Sequence, residues 1–194
     1  MLIKQEFEVA QPIEKVWEFC QDIPNVASCL PGANLTDEIA EDHYEGNVAI
    51  RLGPVQMQFA GRAAVKERDE ASKTIVVDAA GADQKGRGQA NLGLTARLVP
   101  TANGTRVEVE QDLQLSGAAA QYGRGMVQDV SAVMLRDFAT NMQARIDAYD
   151  KGVPLGEMEA PKSAGGFSIG LAAAWMALKR VARRFFGPYD PARV

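Results

Sequence analysis

The segment VQMQFAGRAAV, residues 55–65, alternates without interruption over eleven residues. Val55, Met57, Phe59, Gly61, Ala63 and Val65 fall on one side; Gln56, Gln58, Arg62 and, just beyond, Lys66 fall on the other. Successive side chains of an extended chain point to opposite faces, so this pattern specifies a strand with one wet face and one buried face. A buried strand face has to be covered. Residues 117–149 can do that, because Val127, Val130, Met134, Phe138, Met142, Ile146 and Tyr149 recur at helical spacings of three and four. Asp129, Arg136, Thr140, Gln143 and Asp147 fall on the opposite side of that helix. Its start is unusual: Gly117, Gly123 and Gly125 stand among small residues, and a mid-helix glycine costs roughly 1 kcal/mol relative to alanine.

The remaining pattern fills in an α+β layout. Residues 2–9 alternate as a first strand, with Ile3, Gln5, Phe7 and Val9 on one face. Pro12 suits a first helical turn, and Val16, Trp17, Phe19 and Cys20 give a short amphipathic helix. A second short helix opens at Pro24 and stops at Pro31-Gly32. Alternation and turn signals then mark strands at residues 44–52, 55–65, 74–81, 85–99 and 107–115. Gly53-Pro54 and Asn103-Gly104 supply two of the turns, and residues 67–73 read as a charged turn. The expected order is strand, two short helices, six strands, five of them located by these ranges, and a long helix. That order describes a curved seven-stranded antiparallel sheet wrapped around a long C-terminal helix.

Chemistry-bearing residues are scarce. His43 is the single histidine and sits in an acidic turn, EDHYEG, so a His-rich or four-cysteine metal site cannot be built; no covalent or metal cofactor is expected. Cys20 and Cys29 read as a disulfide or as two buried thiols in a reducing compartment. The glycines at 81, 86 and 88 lack the Gly-Lys-Ser/Thr ending of a phosphate loop. Asp and Glu are nearly absent from the inward faces, which argues against an acid/base active site.

What the inward faces do carry is small residues: Gly46, Gly61, Ala63, Gly86, Gly88 and Ala90. They read either as sheet curvature with tight helix packing or as one wall of an apolar pocket. The expected lining of such a pocket is Trp17, Leu30, Met57, Phe59, Gly88, Tyr122, Met126, Val130 and Met134, with Gln111 and Tyr122 placed to orient a ligand.

Charge is unevenly distributed. Residues 1–150 carry 14 Lys and Arg against 22 Asp and Glu, a balance of −8, whereas residues 165–194 carry +4. An acidic globule with a basic tail is not a nucleic-acid binder. Residues 151–166 are rich in Gly, Pro and charge and read as a flexible linker after a domain at 1–150. Residues 167–186 form an amphipathic segment. Phe167, Leu171, Trp175, Leu178 and Phe185 share a helical face; Lys179, Arg180, Arg183 and Arg184 share the other. Its uncharged run, residues 167–178, is twelve residues long, against about 20 needed to span a bilayer. The segment should therefore lie in the membrane interface with its basic side chains toward anionic inner-leaflet lipids. Docking onto a partner protein or back onto the globule are the alternatives. The first ten residues have no apolar signal region, so the expected location is the cytoplasm, peripherally attached to the inner face of the membrane.

The order of elements resembles the helix-grip fold of the START-like, polyketide-cyclase superfamily. Within it, the chain resembles the CoxG family of carbon monoxide dehydrogenase subunits. The matching pieces are Val16-Trp17, Cys29-Leu30-Pro31-Gly32-Ala33, Tyr44-Glu45-Gly46, Gly53-Pro54-Val55, Phe59 with Gly61, Gly104-Thr105-Arg106-Val107, and residues 117–125. This resemblance implies a non-enzymatic accessory protein that recruits a molybdenum hydroxylase of the carbon monoxide dehydrogenase type to the cytoplasmic membrane. The superfamily binds apolar ligands between helix and sheet and shares no catalytic set. Cavity, membrane tail and redox partner together suggest a respiratory quinone, menaquinone or ubiquinone, as the bound apolar ligand. A small cyclase or hydrolase, or a lipid carrier, using the same cavity are the alternative readings.

Overall fold

The computed structural model describes residues 1–52 and 55–151. The turn at Gly53-Pro54, the linker beyond Lys151 and the amphipathic segment at 167–186 lie outside the described residues. The elements are β1 (Leu2–Val9), α1 (Ile13–Gln21), α2 (Ile23–Cys29), β2 (Ala33–Ala40), β3 (His43–Leu52), β4 (Val55–Asp69), β5 (Thr74–Asp83), β6 (Gln89–Thr101), β7 (Gly104–Leu115) and α3 (Arg124–Asp150). A short 3₁₀ turn, Gly117–Gln121, precedes α3. The sheet is antiparallel throughout, in the order β1-β7-β6-β5-β4-β3-β2. The first strand therefore pairs with the last, and α1 with α2 carries the chain to the opposite edge.

Local chemistry explains these boundaries. Pro12 is the N-cap of α1, and its carbonyl accepts from the Lys15 and Val16 amides. The Asp22 carboxylate caps α2 by accepting from the Asn25 amide at 3.1 Å, satisfying a donor the helix leaves open. Gly32 ends that region at φ 79°, where an added Cβ would sit 2.5 Å from the Ala49 carbonyl oxygen. The β6–β7 hairpin closes at Gly104 with Thr101 opposite, as the Asn-Gly signal predicts.

The strand that alternation does not locate is β2, whose residues 36–40 are all exposed. Three expectations change. β4 continues to Asp69, through a bulge between Val65 and Glu67 that breaks the period while pairing resumes at Glu67 with Val76. β6 begins at Gln89; Gly86 and Gly88 belong to the preceding turn, at φ 69° and 155°, and not to an inward strand face. The long helix is not continuous from residue 117: it starts at Arg124, after the 3₁₀ turn and a break at Tyr122-Gly123.

The core lies between α1, α2, α3 and the inner sheet face. Its larger cluster gathers Val9, Val16, Trp17, Phe19, Tyr44, Val107, Met142 and Ile146, with Phe7, Leu135 and Phe138 packed against it. Phe7 and Phe138 meet edge to face at 5.8 Å. α3 runs alongside β1 in the same direction, since Ser131 reaches Gln5 and Gln143 reaches the Ala10 amide. Gln143 and Asp147, expected on the wet side, are held there as hydrogen-bond partners: Gln11 donates to Asp147 at 2.9 Å, and so does Gln143 at 2.8 Å. Tyr149, expected on the apolar face, is 58% exposed.

Candidate functional site

A second, smaller apolar cluster lies between the start of α3 and the β3–β4 part of the sheet. Met57, Phe59, Ala119 and Val130 are buried there, with Val48, Ile50, Ala90, Leu115, Tyr122 and Met134 packed around them. Strand register explains its position. Gly46, Gly61, Gly81, Ala90 and Leu115 stand directly opposite one another across five strands. This nearly side-chain-free row lies next to Phe59 on the same face of β4. At Gly61 the missing side chain is taken up by backbone: an added Cβ would run into the Ala80 carbonyl oxygen. At Gly46 it would come within 2.7 Å of the Asn34 carbonyl oxygen. These two glycines therefore serve close strand approach and sheet curvature.

The rim of this cluster is pinned by one carboxylate. Asp83, fully buried at the end of β5, accepts from the Gln58 and Lys85 amides and from Arg87 Nε and Nη2, the last two at 2.8 Å each. Those charge-assisted bonds, Arg87 foremost, hold its carboxyl well below the usual carboxylate range against the cost of burial. Arg87 Nη2 also donates to the Gln56 carbonyl, and the Arg87 carbonyl accepts from the Ala118 amide at 2.6 Å. One turn thus ties the β3–β4 hairpin to the 3₁₀ turn. Gly117 makes this approach feasible at φ 64°, because a Cβ there would lie 2.6 Å from the Arg87 carbonyl oxygen.

A polar group sits under the middle of α3. The Ser131 hydroxyl lies 3.1 Å from the side-chain oxygens of both Gln5 and Gln111. A hydroxyl carries one proton, so one of the two amides turns its NH₂ toward it. Gln111 is in this way engaged by the protein itself.

The thiols lie in the α1–α2 region. Cys20 and Cys29 are free, and burial pushes the Cys20 thiol up to about 12 and the Cys29 thiol to about 11. Arg145, buried in α3, opposes the shift at Cys29, and Asn141 donates to the Cys29 carbonyl at 2.9 Å. His43 is exposed and bonds the Glu41 carbonyl through Nδ1 at 2.7 Å. Among the described residues, no group of three or more His, Cys, Asp or Glu could hold a metal ion.

Of the ten expected pocket residues, Met57, Phe59, Tyr122, Val130 and Met134 come together in the small cluster. Trp17 belongs to the larger cluster, with Lys73 Nζ stacked 5.0 Å from its ring centroid. Leu30 is half-buried at the C-cap of α2, Gly88 lies in the turn, and Met126 is 42% exposed. Met126 points outward because the helix phase is set by Val127, Val130 and Val133, all buried. Asp83, Arg87, Ser131 and Arg145 were not expected at these positions from the sequence. Asp83 carried one available signal, an acidic residue ending a strand four residues before an arginine in a glycine-rich turn.

Grooves open on the surface among the described residues. One, of about 510 Å³, lies on the outer sheet face over Ala64, Ala80 and Gly93, ringed by Arg62, Lys66 and Asp78. Another, of about 690 Å³, lies between β1 and α3. No helix among the described residues is long and apolar enough to cross a membrane.

A seven-stranded sheet gripping one long helix, with two short helices after the first strand, is a helix-grip fold, similar to that of START-like and aromatase/cyclase proteins. The family model for the carbon monoxide dehydrogenase subunit CoxG matches residues 6–147, and the chain belongs to that family. Among solved structures, a conserved protein from Geobacillus kaustophilus is similar at 21% identity and TM-score 0.68, covering 76% of this chain and 96% of that one. The ZhuI aromatase/cyclase from Streptomyces sp. R1128 is similar at 13% identity and TM-score 0.56, covering 77% and 95%. A START superfamily protein from Mycobacterium smegmatis is similar at 16% identity and TM-score 0.53, covering 76% and 98%. These likenesses speak to the fold. No curated protein matches the chain.

Proposed function

We propose that this chain is a non-catalytic accessory protein of a molybdenum hydroxylase of the carbon monoxide dehydrogenase type. It recruits that enzyme to the inner face of the cytoplasmic membrane through residues 167–186, and its small apolar cluster accepts a respiratory quinone. One observation carries the reading: the CoxG family match over residues 6–147, followed in the same chain by a segment of +4 with an amphipathic pattern. The carboxylate at the rim of the small cluster fits the non-catalytic part: Arg87 holds Asp83 ionised, with its carboxyl well below the usual carboxylate range. General acid–base chemistry needs a group that titrates near the working pH, and a carboxylate so stabilised is a poor base.

The membrane arm has a magnitude. Four basic side chains at about 1 kcal/mol each give on the order of 4 kcal/mol, roughly a thousandfold in affinity, decaying with salt. Anionic vesicles should sediment the full chain at low salt and release it as salt rises; a variant lacking residues 165–194 should stay in the supernatant. Vesicle binding retained by the deletion variant would show the tail assignment to be wrong. Retention of the dehydrogenase on immobilised full-length chain separates this reading from a lipid carrier with no such partner. Lipid mass spectrometry of protein purified from membranes tests the quinone arm, and the absence of any prenyl quinone, with none bound on addition, would remove it. Turnover of an apolar substrate by the purified chain would favour a cyclase or hydrolase instead.

A further inference from the structure

The groove between β1 and α3 takes no part in the small cluster or its rim. Its floor is apolar, formed by Phe7, Ala132, Leu135 and Ala139; its β1 side carries Glu6 and Glu8, and its α3 side carries Arg136, which is paired with Asp137 at 3.0 Å. Both glutamates are exposed, and Glu6 has Arg106 at a loose 3.9 Å. We propose that this groove is a docking site in cis for the chain's own residues 167–178, which holds the basic segment off the membrane until it is released. The regulatory part rests on the membrane reading above; the docking part does not.

Dimensions, reach and charge point to this occupant. The groove follows α3 from Ala132 to Gln143, about 17 Å at 1.5 Å per residue. The uncharged run at residues 167–178 spans about 18 Å as a helix and offers Phe167, Leu171, Trp175 and Leu178 along one side. α3 ends at Asp150, about 10 Å of helix beyond Gln143. The sixteen residues 151–166 between that end and the segment have an r.m.s. span of roughly 20–24 Å as a Gly-rich coil. A tether of that length keeps the segment at a local concentration in the millimolar range. The basic residues 179–184 then continue past the apolar floor, beside a globule whose balance is −8 and whose groove has Glu6 and Glu8 on its β1 side. Membrane and groove would compete for one apolar face, so occupation of one excludes the other.

Hydrogen exchange with mass spectrometry on the full chain, without lipid, reads the docking directly. The key variant is A132E, which places a carboxylate on the floor at an exposed, helix-compatible position. Amides of residues 167–178 should exchange about tenfold slower than an unstructured chain, and within about twofold of it in A132E. A tenfold protection means an open fraction near one in ten, so A132E should bind vesicles of phosphatidylglycerol and phosphatidylcholine about tenfold more tightly. The E8K variant, at an exposed strand position, should lose about threefold of the protection and covers the case in which A132E fails to fold. Unstructured-chain rates in the unmutated protein, or protection unaffected by both variants, would overturn the proposal. So would protection that falls on tenfold dilution, because a second copy would then be the occupant. If the protection pattern holds while neither form binds vesicles, the membrane reading falls and the docking stands.

Discussion

Met57 and Met142 are each 1% exposed, yet they sit in different clusters, and truncating both in parallel probes what the small cluster is for. Met57→Ala and Met142→Ala remove the same atoms from equally buried sites. Each should cost about 2–5 kcal/mol in the ligand-free protein, the transfer of the lost groups plus the cavity left behind. At a midpoint of about 3 kcal/mol, a domain of this size should lose roughly 6–12 °C in Tm. The two should then part company. A naphthoquinone with a short prenyl chain, at about 100 times its Kd, would return about 2.7 kcal/mol to a protein that binds it in the native state. That recovery is expected in Met57→Ala, whose vacated volume opens in the small cluster among Phe59, Ala119 and Val130. It is not expected in Met142→Ala, which opens space among Val9, Phe19 and Ile146 in the larger cluster. Differential scanning fluorimetry with and without the probe reads both steps. A loss under about 2 °C for Met57→Ala would show that Met57 is not packed, contrary to its burial. Equal rescue of both variants would show that the small cluster has no special capacity for an apolar ligand.

Asp83→Asn should lower Tm at pH 7, because the amide cannot replace the charge-assisted bonds from Arg87. The folded carboxyl is depressed below its ordinary 3.8, so its stabilisation is present above that value and lost as pH falls below it. The Tm gap between the two proteins should therefore persist down to about pH 4 and close below it, as a pH series of melts would reveal. A gap that already closes near pH 6 would refute the depressed carboxyl. For the thiols the sign runs the other way. With folded values near 11 and 12 against an ordinary 9.0, stability is full below pH 9 and declines as pH rises toward those values. Native protein at pH 8 should also react slowly with a disulfide reagent and quickly once unfolded; equal rates would contradict the burial.

Legibility varied with how local the cause was. The strand at 55–65 could be read because its inner face is apolar at every second position. Its last four residues could not, because the bulge after Val65 reverses the phase and the charges at 66–70 resemble a turn. The opposite error occurred at 85–88. Gly86 and Gly88 fall in phase with the strand that follows, and only the Asp83–Arg87 contacts show that they form a turn. On α3 the spacing of Val127, Val130, Met142 and Ile146 was visible. The burial of Arg145 beside Ile146 was not, since a buried cation depends on surroundings supplied by other elements. Half of the expected lining residues came together because Met57, Phe59, Tyr122, Val130 and Met134 pack in one cluster between sheet and helix. Trp17 was drawn to the other cluster by its place on α1.

The sequence by itself determined the order of elements, the antiparallel sheet, the helix that covers it and the charge contrast between globule and tail. Each of these follows from periodicity, turn chemistry or composition, which act over a few residues. The tertiary structure decided how the inner face divides into two clusters, where the helix breaks, and what the glycines are for. Those outcomes depend on register: Gly46 faces Gly61, and Gly61 faces Gly81, only once strands from distant parts of the chain have paired. The bond from the Ala118 amide to the Arg87 carbonyl likewise exists only in the folded chain, and it holds the 3₁₀ turn against the β5–β6 turn, apart from the helix that begins at Arg124.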